Sequence, residues 1–143
     1  MREEFLKKMS KELDDDKLYI KVFKGVLKSG VEDADTKKFI ENEIERRENK
    51  FSRGYLLGYH CVLCNDGRPV LDTALFDAEV PDFVKAIEDA GFDEFVMTDQ
   101  SSGLIDLMTA LAMNGWAFKC LGAVYKKTAN GLKRLSAITF KKA

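Results

Sequence analysis

The chain is poor in the residues that most enzyme and metal chemistry needs. It has one histidine and three cysteines among 143 residues. A structural zinc site takes four ligands, and the whole supply of imidazole and thiol is His60, Cys61, Cys64 and Cys120. The first three fall within one helical turn or strand. On a helix His60 and Cys64 share a face, while Cys61 points about 100° away from His60. A redox pair would want its first cysteine at a helix start, where the dipole lowers the thiol pKa, and this CxxC falls near a helix end. The expected state is three reduced, buried thiols, with no metal and no cofactor. An odd cysteine count fits no closed disulfide framework and points to a reducing, cytoplasmic setting. No apolar run approaches the roughly 18 residues of a membrane span. The first residues, MREEFLKKMSKELDDD, carry early acids and no apolar core, which is unlike a signal peptide. There is no internal repeat and no low-complexity tract. No glycine-rich phosphate loop with its lysine is present.

What is there is a balanced globular composition, 45% apolar and 33% charged, with net charge −1. The charge is segregated. Residues 71–106 contain ten acids opposed only by Lys85, and residues 116–143 contain seven cations and no acid. One reading lays a basic hairpin beside an acidic helix so that the two fields partly cancel. The other leaves a basic edge for an acidic partner.

Periodicity organises the chain as one domain, with a helical segment over 1–65 and an α/β core over 66–143. Phe5, Leu6, Met9 and Leu13 predict a helix over 2–13. The triplet Asp14, Asp15, Asp16 predicts a break and a cap for a second helix, closed by Ser29 and Gly30. Asp35 or Thr36 should cap a third, long helix running through Ile40, Ile44, Tyr55 and Leu63 to Gly67. Residues 55–75 could also form a β-hairpin, but the charged helical lead-in and the lack of clean alternation favour helix. On that helix Gly54 and Gly58 would let a neighbour approach closely. A short strand is expected within 69–75, then a helix with Pro81 in its first turn and Val80, Phe83, Val84, Ile87 and Ala90 facing inward. Strand 94–98, helix 104–114, strand 116–125 and strand 132–140 follow. The helix 104–114 should bury Leu104, Ile105, Leu107, Met108, Leu111 and Ala112, and it supplies the crossover that two parallel strands need. The last strand returns antiparallel after Thr128, Ala129, Asn130 and Gly131. The fold class is α/β: a small mixed sheet of three to four strands with βαβ crossover helices and a C-terminal β-hairpin, plus an N-terminal helical segment.

The segments RGYLLGY, VLDTALFDAEV, AGFDEFVMTDQSSGLIDLMTAL and YKKTANGLKRLSAI, spread over residues 54–138, resemble a set of small uncharacterised proteins of gut Firmicutes, often found in mobile-element regions. The turn between the last two strands is shorter here than in that set. The shared motifs are structural, so the resemblance implies an accessory protein of a mobile element and carries over no functional residue.

Two candidate sites stand out from the residues. Asp99, Ser101, Ser102 and Gly103 join a strand to a helix start, where ligands of α/β sheets gather and where helix N–H groups can receive an anion. Serines there can equally cap the helix, and Asp99 opposes a bare anion. As nucleophiles, Ser101 and Ser102 would have only His60 as an imidazole base. The second candidate is the basic hairpin, where Lys119, Lys126, Lys127, Lys133 and Arg134 lie among Trp116, Phe118, Tyr125 and Phe140. Such strands can track phosphates and stack bases, or they can turn Trp116 and Phe118 inward and use the lysines to guard an edge. A pI near 5.9 weighs against nucleic acid. The function that fits best is a non-catalytic intracellular interaction protein with a protein partner or a second copy of itself. The alternatives are a small anionic-ligand binder or enzyme at 101–103, and nucleic-acid binding by the hairpin. No membrane partner is expected.

Overall fold

The computed structural model describes residues 1–98 and 103–143. It divides into two compact units, Lys7–Ser52 and the pair of segments Met1–Leu6 and Arg53–Ala143. Among the described residues no helix is long and apolar enough to cross a membrane.

The first helix, α1 (Arg2–Ser29), runs without a break through the aspartate triplet where two helices are predicted. The reason is the phase of its seam. Met9, Leu13, Asp16, Ile20, Phe23 and Leu27 alternate steps of four and three residues, so they fall on one stripe of a continuous helix. Asp16 occupies a place in that stripe and is only 6% exposed. It accepts a bond from Arg47 at 2.8 Å and pairs with Lys50 at 3.3 Å. Both partners follow α2 closely or belong to it (Ala34–Glu48), so a short loop and these ion pairs make an antiparallel helical hairpin. Gly30, with φ 96°, ends α1 as expected. The cap of α2 is Asp33, rather than Asp35 or Thr36. Its carboxylate accepts from the Thr36 N–H at 3.2 Å and hydroxyl at 2.5 Å. The predicted long third helix is two helices. Asn49 ends α2, its backbone and side-chain N–H groups both donating to the Glu45 carbonyl.

In the second unit, α3 (Arg53–Leu63), β1 (Val70–Leu71) and a single 3-10 turn (Asp77–Glu79) lead to α4 (Val80–Asp89). The helix reading of the 53–63 stretch therefore holds. Then come β2 (Glu94–Thr98), α5 (Leu104–Met113), β3 (Trp116–Thr128) and β4 (Gly131–Lys142). The sheet order is β1-β2-β4-β3. β1 is parallel to β2, and β4 lies antiparallel between β2 and β3. The α/β class, the mixed sheet and the C-terminal hairpin are all as the sequence predicts.

Phe95 centres the core. Its ring sits 5.1 Å from Phe83 of α4, 5.2 Å from Trp116 and 5.5 Å from Phe140, its register partner on β4. The inward set of α4 is buried as read from the sequence. Gly54 and Gly58 do seat α3 against its neighbours. A Cβ on Gly54 would lie 2.5 Å from the Glu79 carbonyl oxygen, and one on Gly58 would lie 2.6 Å from the Ala86 Cβ.

Three burial expectations fail. On α5 only Leu107 and Leu111 are buried, while Ile105 is 81% exposed. Phe118 is 49% exposed although Trp116 beside it is buried. Of the thiols, Cys61 alone is buried, and Cys64 and Cys120 are exposed. Ile105, Phe118 and Cys120 share one cause, since β3 is the edge strand and α5 covers it with one face only; Cys64 is exposed because it lies just past the end of α3.

Candidate functional site

The carboxyl end of β2 is where the second unit gathers its polar groups. The Thr98 hydroxyl, in a buried residue, reaches the Leu71 carbonyl at 3.3 Å and donates to the Asp72 carboxylate at 2.6 Å. Lys126 donates to the other oxygen of Asp72 at 2.9 Å. The Thr98 bond first, and Lys126 second, hold the Asp72 carboxyl below its ordinary range. These contacts tie three strands together, because Asp72 follows β1, Thr98 ends β2 and Lys126 lies in β3.

Beyond Ala137, the register partner of Thr98, the β3–β4 hairpin continues as a two-stranded ribbon. Lys126 faces Lys133 and Tyr125 faces Arg134 across it. The Thr128 hydroxyl closes the turn by donating to the Gly131 carbonyl and accepting from the Asn130 N–H.

A cleft opens on each side of Thr98. One, of about 520 Å³, is lined by Met97, Leu104, Leu121, Arg134 and Ile138. It is an apolar slot between α5 and the ribbon with a guanidinium on its lining. The other, of about 350 Å³, lies over Cys64, Val70, Asp72, Tyr125 and Lys126.

Of the residues singled out for ligand binding, Gly103 is described and Asp99, Ser101 and Ser102 lie outside the described residues. Gly103 is itself the N-cap of α5, in the left-handed conformation with φ 72°. The serine cap read from the sequence is therefore displaced by a residue with no side chain to accept from the free helix N–H groups. Thr98 and Leu104, which flank this stretch, both line the 520 Å³ cleft.

The hairpin cations divide into two sets. Lys119 pairs with Glu94, Lys126 with Asp72, and Lys142 with Glu88 at 3.1 Å. The Lys119 contact, a direct hydrogen bond, lowers the Glu94 pKa and raises that of Lys119. Partial cancellation of the two charge runs is thus realised in the fold. Lys127, Lys133 and Arg134 have no carboxylate within 4 Å among the described residues.

The metal candidates do not converge. No group of three His, Cys, Asp or Glu side chains suited to a metal occurs among the described residues. Burial pushes the Cys61 thiol up to about 12, which makes it inert at neutral pH.

Sequence reasoning missed one surface. Eight of the ten residues of α5 are apolar, yet the outer side carries Ile105 at 81% and Met113 at 83% exposure. On the neighbouring strands Leu121, Tyr125 and Leu132 are 74%, 66% and 69% exposed. A helix apolar on all sides is ordinarily buried on all sides. That composition was the available signal.

Residues 63–141, more than half of the chain, match the family described as a domain of unknown function (DUF7698). No curated protein and no solved structure matches the chain.

Proposed function

This chain belongs to the DUF7698 family of domains of unknown function, and we propose that it is a non-catalytic intracellular binding protein whose α/β unit docks a protein partner on the outer side of α5 and the adjoining ribbon. One observation carries this reading. Ile105, Met113, Leu121, Tyr125 and Leu132 leave their side chains largely in water, and large exposed apolar side chains on neighbouring elements are what an interaction surface would use. Arg134 and Lys127 share the ribbon with these residues, so the partner surface should be apolar with an acidic rim. The setting of a mobile element in a gut bacterium rests on the resemblance over residues 54–138 alone.

The test uses tagged protein captured from its source lysate, with and without nuclease, alongside the Ile105→Asp/Leu121→Asp variant. Both positions are exposed, so the variant should fold. A partner that survives nuclease and is lost on the variant supports the reading. Charging two central anchors should weaken binding about 30-fold or more. Equal recovery by both proteins would refute the surface, and recovery abolished by nuclease would move the function to the ribbon cations.

A second reading has its own support in the 520 Å³ cleft, where apolar walls and Arg134 suit a small anion with an apolar body. Thermal denaturation with a panel of aromatic carboxylates and phosphates checks it. An Arg134-dependent rise in melting temperature is expected, and no rise with any member would end it.

A further inference from the structure

The helical unit carries a separate exposed face, independent of the α5 surface. Along α1, Leu18, Val22 and Val26 are 62%, 56% and 41% exposed. They lie one turn apart on the side away from the seam of Met9, Leu13, Ile20 and Leu27. Gly25 lies on the same side. A Cβ placed there would meet nothing within 4 Å, so no contact within the chain requires glycine. Mid-helix glycine costs about 1 kcal/mol relative to alanine. A gap in an exposed apolar stripe, with no use inside the chain, is the shape that a side chain from outside would fill.

We propose that this face pairs with the same face of a second copy, antiparallel, about a two-fold axis at Val22. The charges decide both the partner and the direction. Glu12 and Lys24 are already held by Lys50 and Glu48. Of the other charges beside the stripe, Asp14 and Asp15 precede it, with Lys11 one turn earlier, and Lys21 and Lys28 follow. A parallel pair would set acids on acids and lysines on lysines. An antiparallel pair reverses one helix, so that the acidic end of each copy meets the basic end of the other.

The register follows from the spacing. Asp14, Lys21 and Lys28 recur every seven residues on one flank. A two-fold axis between antiparallel helices brings the same flank of each copy together. With Val22 beside its own copy, Asp14 meets Lys28 of the other helix, twice. Leu18 then packs over the gap at Gly25, and Val26 packs against Tyr19. Tyr19 is already fixed by an edge contact with Phe23 at 4.1 Å and by the Arg47 guanidinium 3.6 Å above its ring. Asp14 and Lys28 are exposed and have no ion-pair partner among the described residues, so both are free for this contact. Lys21 meets its own copy at the axis, the one unfavourable contact of the register.

Sedimentation equilibrium of the full chain up to about 0.1 mM, a range in which a small isologous interface is populated, tests the pairing. The wild type should dimerise, and Val22→Asp should be monomeric with an unchanged far-ultraviolet spectrum. Asp14→Lys and Lys28→Asp should each weaken the dimer about 10-fold, because each turns two attractions into repulsions. The double variant should regain most of the loss. In a Cys64→Ser/Cys120→Ser background, Val22→Cys should crosslink to a dimer under mild oxidation. A wild type that stays monomeric overturns the proposal. So does a dimer indifferent to Val22→Asp, and so does a double charge swap that adds the two losses instead of cancelling them.

Discussion

Gly58→Ala should destabilise the α/β unit although it improves helix propensity. The added Cβ would lie 2.6 Å from the Ala86 Cβ and 2.9 Å from the Phe83 carbonyl oxygen. Carbon atoms in contact rest about 3.5–4.0 Å apart. Helices α3 and α4 must therefore separate by about 1 Å, and neither neighbour can rotate away, one being a Cβ and the other backbone. Phe83 and Ala86 are fully buried, so the strain passes into the core around Phe95. Overpacking of this kind costs about 1–3 kcal/mol, and alanine in a helix returns about 1 kcal/mol. The upper part of the range applies to rigid neighbours, which leaves a net loss of about 1–2 kcal/mol.

Denaturant unfolding followed by tryptophan emission is the assay, because the single tryptophan, Trp116, is 1% exposed in this unit. The midpoint should fall without a change of slope. Gly25→Ala is the control. Nothing lies within 4 Å of its added Cβ, so it should gain up to about 1 kcal/mol by far-ultraviolet circular dichroism at monomeric concentration. If Gly58→Ala is as stable as the parent, or more so, the close α3–α4 contact is wrong.

Asp16→Ala should destabilise the helical hairpin by about 2–4 kcal/mol, because it strands the Arg47 guanidinium in a largely buried place; Asp16→Leu, which refills the seam, should lose less in the same melt. Asp72 has a depressed pKa, so its stabilisation is present above the unfolded-state value and is lost as pH falls through the folded-state value. Thr98→Val should therefore cost most near pH 7 and progressively less below the ordinary 3.8, the whole effect staying near 1 kcal/mol because the Asp72 side chain is 42% exposed. A thiol reagent should modify Cys64 and Cys120 in the native protein and reach Cys61 only after unfolding; rapid loss of all three thiols would contradict the burial of Cys61. If the ribbon meets a polyanion through Lys127, Lys133 and Arg134 alone, the slope of log affinity against log salt should be about −3 or shallower, and a slope near −6 would require the paired lysines as well.

What could be read from the sequence was local. Strand β2 has its predicted bounds because a short apolar run sits between Gly91 and a run of polar residues in the sequence. α4 has its inward set because Pro81 and Gly91 bracket one clear stripe. Gly54 and Gly58 announced a close neighbour by their four-residue spacing. The failures came where partners distant in sequence decide. Asp14, Asp15 and Asp16 resemble a break to any local rule, but Asp16 is needed at that height by Arg47 and Lys50, more than thirty residues on. Leu18, Val22 and Val26 form a second apolar stripe on the same helix, so local apolarity does not choose between the two. The seam through Asp16 is the one the chain buries. Apolarity said that α5 should be covered, but not that its own chain covers only the side holding Leu107 and Leu111. The bond from Thr98 to Asp72 needs the register of a two-residue strand, which no periodicity can supply.

The segregated charge shows how topology turns a chain-level pattern into a local one. β4 inserts between β2 and β3, and β3 ends the sheet. Acids from before residue 106 and cations from after residue 116 are thereby interleaved. Glu94 on β2 meets Lys119 on β3, Asp72 after β1 meets Lys126, and Glu88 on α4 meets both Lys142 and the Trp116 indole N–H. Each pair is partly exposed and contributes little to stability by itself. Their combined effect is on the field, because cations held by carboxylates cannot also attract a distant phosphate chain. Apart from Lys141, which has no ion pair among the described residues and lies opposite Glu94 in the sheet, the hairpin cations left over lie on the ribbon beyond Ser136, where β2 no longer runs alongside and no acid of that strand can reach. A small cationic tip beside an apolar helix, screened within about 10 Å at ordinary salt, orients a partner at contact range but gathers none from afar. That combination fits a docking rim better than a nucleic-acid track.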